Sequence, residues 1–227
     1  MTTQPARTHA ASPPLTHLLY LHGFRSSPVS AKAQQTLAWL TKHAPSVRWY
    51  CPQLPPSPRE AMQMVRDEMA RWPIDHGAEL GIVGSSRGGF YATVLAREAA
   101  CRAVLINPAV APSRLLAEHI GEQRSFHADD VFYFRPEFVD ELRALETPPP
   151  DSSQRILALI AKGDEVLDWR VMSQHYSQCC TQVLEGGDHS LSDYPLHLPT
   201  AMTFLGLPTP PAVSGTPTRR VHAGRGT

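Results

Sequence analysis

Gly84-Ser85-Ser86-Arg87-Gly88, followed at once by Gly89, stands between two different kinds of sequence. Before it, Leu80 to Val83 is a short apolar run that reads as a buried strand. After it, Phe90 to Ala99 is an alanine-rich segment that reads as a helix. A G-x-S-x-G pentapeptide at a strand-to-helix turn forces its central serine into a strained backbone conformation. Glycines two residues to either side leave room for neighbouring chain to pass close. The helix beginning there directs its first amides and the positive end of its dipole towards the serine, which favours developing negative charge. Ser86 is therefore the expected nucleophile, while Ser85 reads as a turn hydroxyl. The bare pentapeptide is common by chance, so the strand-turn-helix setting carries the argument.

Outward from this turn, short apolar runs alternate with longer segments of helical period. His17 to Leu21 reads as a strand, and Ser30 to His43 as a helix with Ala33, Leu37 and Leu40 on one face. Val47 to Cys51 is the next strand. Pro58 to Trp72 carries Ala61, Val65, Met69 and Trp72 on one helical face, and Pro58 suits a helix start. Ala103 to Ile106 is a strand closed by the stop signal Asn107-Pro108. Further on come a strand at Ile156 to Ile160, a helix at Asp168 to Ser177, a strand at Gln182 to Leu184 and a helix at Pro195 to Phe204. Such alternation predicts an α/β fold with a mostly parallel central sheet and helices on both faces. Pro112 to Pro150 breaks the pattern with helical stretches around Leu115 to Ile120 and Pro136 to Leu145, separated by aromatic, loop-like sequence. Residues 112–150 are expected to form a lid-like or cap excursion over the sheet's C-terminal edge.

At 227 residues the chain can bury one substantial core. One domain is expected over residues 15–207, with disordered tails at 1–14 and 208–227, which are rich in Pro, Thr, Ala and Gly. Lysine plus arginine balance aspartate plus glutamate at 21 each, so no net field favours nucleic acid or an anionic membrane. No stretch approaches the roughly 20 apolar residues of a membrane span, and Met1 to Pro14 lacks a secretory apolar run. A soluble cytoplasmic protein is the expectation. Cys51, Cys101, Cys179 and Cys180 lack metal-ligand spacing and read as reduced, mostly buried thiols. Neither metal nor cofactor is expected, and the partner should be a small molecule.

A serine hydroxyl is a poor nucleophile until a base takes its proton. Of eleven histidines, His189 stands out because Gly186-Gly187-Asp188-His189 follows a strand and would hold the ring on a loop at the sheet's edge. The acid that orients the ring should follow the preceding strand. Asp164, Glu165 and Asp168 compete there. Asp164 comes directly after the strand and Gly163, so it is expected to face the histidine. Glu165 is expected to point elsewhere, and Asp168 to cap the following helix. The order Ser86, Asp164, His189 is that of the α/β-hydrolase arrangement. Backbone N–H groups of Phe24 and Arg87 occupy the two oxyanion-hole positions. His22 reads as a structural histidine bonded within its loop. Candidate substrate contacts are Arg25, Phe132 and Phe134, within an aromatic set that also holds Phe126, Tyr133 and Phe138. Those aromatics could equally cap the core. The Arg25 and Arg87 side chains could meet an anionic part of a substrate or remain on the surface.

Together, Leu19-Tyr20-Leu21-His22-Gly23-Phe24-Arg25-Ser26-Ser27, Gly84-Ser85-Ser86-Arg87-Gly88-Gly89, Gly163-Asp164-Glu165-Val166-Leu167-Asp168 and Gly186-Gly187-Asp188-His189 resemble the YqiA-type esterases, small bacterial α/β hydrolases. The resemblance runs from about His17 to Leu205. It implies a minimal α/β-hydrolase fold and metal-free hydrolysis of carboxylic esters or thioesters, with nucleophile, acid and base at Ser86, Asp164 and His189. A non-catalytic binding protein on the same fold is the rival of a different class. A third reading uses the same triad on a coenzyme A thioester or a C–C bond.

Overall fold

The computed structural model describes residues 14–75, 77–126, 130–151 and 155–208. The tails expected at 1–14 and 208–227 therefore fall, but for Pro14 and Pro208, outside the described residues. Six strands form one sheet in the order β2-β1-β3-β4-β7-β8. They are β1 (His17–Leu21), β2 (Arg48–Tyr50), β3 (Leu80–Ser85), β4 (Arg102–Ile106), β7 (Ile156–Ala161) and β8 (Cys180–Leu184). Every pairing in this sheet is parallel, so helical crossovers are obligatory. They are α1 (Ala31–His43), α2 (Pro58–Met69), α3 (Arg87–Ala99) and α6 (Trp169–His175), with α7 (Tyr194–Phe204) closing the chain. Between β4 and β7 lie α4 (Pro112–Leu116), β5 (Gly121–Arg124), β6 (Val131–Phe134) and α5 (Pro136–Leu145).

The alternation of side chains along each strand divides the core in two. Leu19, Leu21, Ile82, Leu105, Ala158 and Ile160 point to the face covered by α2, α3, α5 and α6. Leu18, Tyr20, Val83, Val104, Ile106 and Leu159 point to the face covered by α1 and α7. Burial on both faces explains why β1, β3 and β7 are continuous apolar runs, buried at every position. The edge strands β2 and β8 are partly exposed and correspondingly more polar.

The excursion differs from its sequence reading. Its first helical stretch is only α4 and one 3-10 turn, Ala117–His119, and the aromatic segment expected as loop contains an antiparallel hairpin, β5 with β6. Gly121-Glu122-Gln123-Arg124 carries no apolar alternation, because that strand lies over the domain with neither face fully buried. α5 docks on α2 through Glu141, whose Oε2 accepts from the Ser57 hydroxyl (2.7 Å) and the Arg59 amide (3.1 Å). The thiols are also less hidden than expected: Cys101 is buried, Cys51 and Cys179 are half-buried and Cys180 is exposed. Burial pushes the thiols of Cys51 and Cys101 up to about 12, so neither is a thiolate at neutral pH. Among the described residues, no helix is long and apolar enough to cross a membrane.

Candidate active site

Parallel strands deliver all their following loops to one edge, and the chemistry-bearing residues gather there. Ser86 follows β3 in the left-handed region, with φ 55° and ψ −121°. Such a conformation costs a non-glycine residue about 1–3 kcal/mol. Surrounding hydrogen bonds hold it: the Ser86 amide donates to the Ile106 carbonyl (2.9 Å), and the Ser86 carbonyl accepts from Gly89, Phe90 and Ala109. The flanking glycines are steric necessities. A Cβ on Gly88 would overlap the Leu21 carbonyl, and one on Gly84 would overlap the Gly88 carbonyl. The helix thus crosses the ends of β1 and β3 at backbone contact distance.

His189 Nε2 lies 3.1 Å from Ser86 Oγ, and His189 Nδ1 lies 2.8 Å from Asp164 Oδ2. The Asp164 side chain is wholly buried. Its second oxygen accepts from the Val166 and Leu167 amides, both at 2.8 Å, so the carboxylate is fixed before it meets the ring. Asp168 lies apart from the histidine and is the N-cap of α6, accepting from the Arg170 amide at 2.9 Å. Glu165 does not point elsewhere, as the sequence reading expected. Its Oε2 accepts the backbone N–H of His189 at 2.9 Å, so adjacent acids hold the ring and the main chain of one histidine.

Phe24 lines the same cavity as Ser86, and Arg87 follows Ser86 directly. Gly23 lies so close that a Cβ there would stand 3.3 Å from the Ser86 Cβ. Arg87 opens α3, where an N–H has no intrahelical acceptor. His22 is buried and accepts the Leu54 amide on Nε2 (3.2 Å), which leaves Nδ1 to donate to the Gly23 carbonyl (3.0 Å). A ring committed in this way holds the turn and is not a second base.

A residue that sequence reading treated only as a strand stop also belongs to the site. Asn107 is wholly buried at the end of β4. Its Nδ2 donates to the carbonyls of Asp188 (3.0 Å) and His189 (3.1 Å), and its Oδ1 accepts from the Ala161 amide (2.8 Å). One side chain therefore ties the histidine loop to β4 and β7. The available signal was an amide directly following a buried strand at the edge where the loops converge.

A cavity of about 480 Å³ opens beside Ser86 and His189 and reaches to the start of α1. The expected substrate contacts Arg25, Phe132 and Phe134 do not line it. Phe134 is wholly buried and stacks edge-on to Phe24, as does Phe132, so both pack against the Gly23-Phe24 turn. Arg25 is occupied by the hairpin: its Nε donates to the Arg124 carbonyl (2.6 Å) and its guanidinium covers the Phe126 ring at 4.4 Å. Of the five excursion aromatics only Phe126 reaches the cavity wall. The Arg87 side chain, only 4% exposed, is no surface group either. It lies between the rings of Phe24 (5.2 Å) and Tyr91 (5.5 Å), a cation–π arrangement buried among apolar residues.

The model of an uncharacterised protein family, UPF0227, matches residues 17–206. The chain belongs to this family. UPF0227 is the YqiA-type group anticipated from the motifs, and its matched span coincides with the sheet and its covering helices. Among solved structures, this UPF0227 chain is similar to Est1E from Butyrivibrio proteoclasticus with ferulic acid bound, at 13% identity and a TM-score of 0.62, covering 86% of this chain and 90% of that one. It is also similar to mouse α/β hydrolase domain-containing protein 10, at 15% identity and a TM-score of 0.58, covering 80% and 85%. A methylesterase from Arabidopsis matches at 14% identity and a TM-score of 0.54, covering 84% of this chain and 100% of that one. The UPF0227 chain thus has the α/β-hydrolase fold.

Proposed function

We propose that this protein is a serine esterase that cleaves carboxylic esters through an acyl-enzyme on Ser86. The observation that carries the reading is the continuous relay from Ser86 Oγ to His189 Nε2 (3.1 Å) and from His189 Nδ1 to Asp164 Oδ2 (2.8 Å). As Ser86 Oγ attacks the ester carbonyl, its proton passes to His189 Nε2, and Asp164 stabilises the imidazolium. The oxyanion receives the amides of Phe24 and Arg87, each aimed at charge that develops only in the transition state. Collapse expels the alcohol, which takes the proton from His189, and leaves the acyl group on Ser86. Water then repeats the sequence: its proton goes to His189, its oxygen to the acyl carbon, and Ser86 recovers the proton as the acid departs. The strained φ of Ser86 suits this role, since it lifts Oγ clear of the turn towards the histidine loop. Incubation with a fluorophosphonate followed by peptide mapping tests the reading. Label on Ser86 and its absence in Ser86→Ala are expected, and a folded protein left unlabelled would favour a binding role on the same fold.

A further inference from the structure

The esterase reading gives the oxyanion two backbone donors, the amides of Phe24 and Arg87, and the Arg87 side chain connects them. Its guanidinium carbon stands over the Phe24 ring at 5.2 Å from the centroid and over the Tyr91 ring at 5.5 Å. Neither the Phe24 nor the Arg87 amide donates to an acceptor among the described residues. The peptide that carries the Phe24 N–H is held on one side through the Gly23 carbonyl, which accepts from His22 Nδ1 (3.0 Å) and the Ser26 amide (3.4 Å). On the other side it is held by the packing of the Phe24 ring, which Phe132, Phe134 and His119 meet edge-on and Arg87 covers with its charge.

Packing alone does not call for an arginine at this place. The side chain is buried, and its Nε and Nη1 have no hydrogen-bond partner among the described residues. No carboxylate among those residues is in ion-pair contact with it. Glu141, whose charge reaches Tyr91, is taken by Arg59 (3.1 Å) and by the Ser57 hydroxyl (2.7 Å). Burial pushes the Tyr91 hydroxyl up from its usual 10.0, against the opposing pull of Arg87, so the phenol is neutral at neutral pH and supplies no counter-charge. A guanidinium cannot shed its charge on burial, and a buried charge without a counter-ion is strongly destabilising. An apolar side chain of similar length would fill the same space without that penalty. What the cation alone adds is attraction to the faces of the Phe24 and Tyr91 rings, strengthened by the exclusion of water.

We propose that the Arg87 side chain is a positioning residue for the oxyanion hole: by clamping the Phe24 ring against the start of α3 it fixes the Phe24 amide relative to its own, at a cost in stability. The inference rests on the esterase reading. Arg87→Met keeps the length of the side chain and deletes its charge. It should lower kcat for a short 4-nitrophenyl ester about tenfold or more, with KM within about twofold, because the two donors act on charge that exists only in the transition state. Its melting temperature should stay level or rise, since a buried unpaired charge is removed. Arg87→Lys keeps a cation on the rings and should restore part of kcat. Phe24→Leu keeps the amide and removes the ring. It should lower kcat to a similar degree, and the double variant Phe24→Leu/Arg87→Met should lose little more than either single one, because both remove the same contact. Fluorophosphonate labelling and turnover of the wild-type chain separate the two readings. A wild type that does neither removes the esterase reading and this inference with it. Where the wild type does both, any of four results overturns the inference alone: kcat of Arg87→Met within about twofold of wild type, Arg87→Lys no more active than Arg87→Met, single-variant losses that multiply in the double, or an activity loss in Arg87→Met matched by a lower melting temperature. The last is the mark of an arginine that only holds the fold.

Discussion

Glu165 Oε2 accepts the backbone N–H of His189 at 2.9 Å, which makes an exposed acid the support of the loop that carries the catalytic candidate. A charge-assisted bond of this kind is worth more than a neutral one, but solvent screens it. Glu165→Ala should lower kcat for a short 4-nitrophenyl ester by about threefold to tenfold with KM nearly unchanged, because ring orientation and not substrate binding is affected. Steady-state kinetics of this variant against Glu165→Gln, which keeps an acceptor oxygen, checks the assignment.

Ser86→Ala should abolish ester turnover and leave the fold intact, since only the attacking oxygen is removed and the backbone strain is common to both residues. Ser85→Ala should keep most activity. The reverse pattern in a turnover assay, with circular dichroism confirming that both variants fold, would move the nucleophile to Ser85.

Asp164→Asn should lower kcat by about 10⁴ at neutral pH, because an amide would favour the wrong imidazole tautomer. Asp168→Ala should instead cost about 1 kcal/mol of stability, as expected when an N-cap that accepts the Arg170 amide is lost. Near-normal turnover in Asp164→Asn together with collapse in Asp168→Asn would transfer the role of the acid.

Asn107→Ala should lower kcat and stability together, because the carbonyls of Asp188 and His189 lose their donor and the Ala161 amide its acceptor. A purely structural role would leave the pH profile of kcat/KM in place. A positioning role should shift its acid limb, since the His189 ring would no longer be held against Asp164 in one geometry.

Stability should fall between pH 7.5 and 5.5. Burial, and then Arg48, pulls the His17 ring below the usual histidine value of 6.5 against the opposing pull of Glu79; burial, and then Arg97, does the same to His175. Below about 6.5 the unfolded chain takes up protons that the folded chain refuses, so the contribution is complete above that pH and is lost as pH falls. Asp188, also depressed from its usual 3.8, acts in the same direction but only at lower pH. Urea midpoints at the two pH values should differ in the wild type and converge in His17→Gln/His175→Gln. Equal slopes in both proteins would count against this account.

Outside residues 112–150, sequence by itself determined the strand-helix order and the α/β class, and it placed Ser86, Asp164 and His189 in three separate loops, because each is written in local pattern. Strand burial on both faces demands continuous apolar runs, helix faces demand a 3.6-residue period, and a backbone crossing such as that of Gly88 over Leu21 demands glycine within a few residues of its serine. Only the tertiary structure decided what depends on which strands lie side by side. Asn107 reaches Ala161 and the His189 loop because β4 pairs with β7, and no short-range pattern encodes that adjacency. Glu165 and Asp164 differ by a side-chain direction set by the Asp164 turn, so their neighbouring positions could not separate a ring contact from a main-chain contact. Phe126, and not Phe132 or Phe134, borders the cavity because the hairpin's pairing and the Arg25 latch choose which aromatic faces out. The start of α1 and Ser86 border one cavity only when the parallel sheet has carried β1 and β3 to one common edge, so the cavity is a property of the fold and not of any segment.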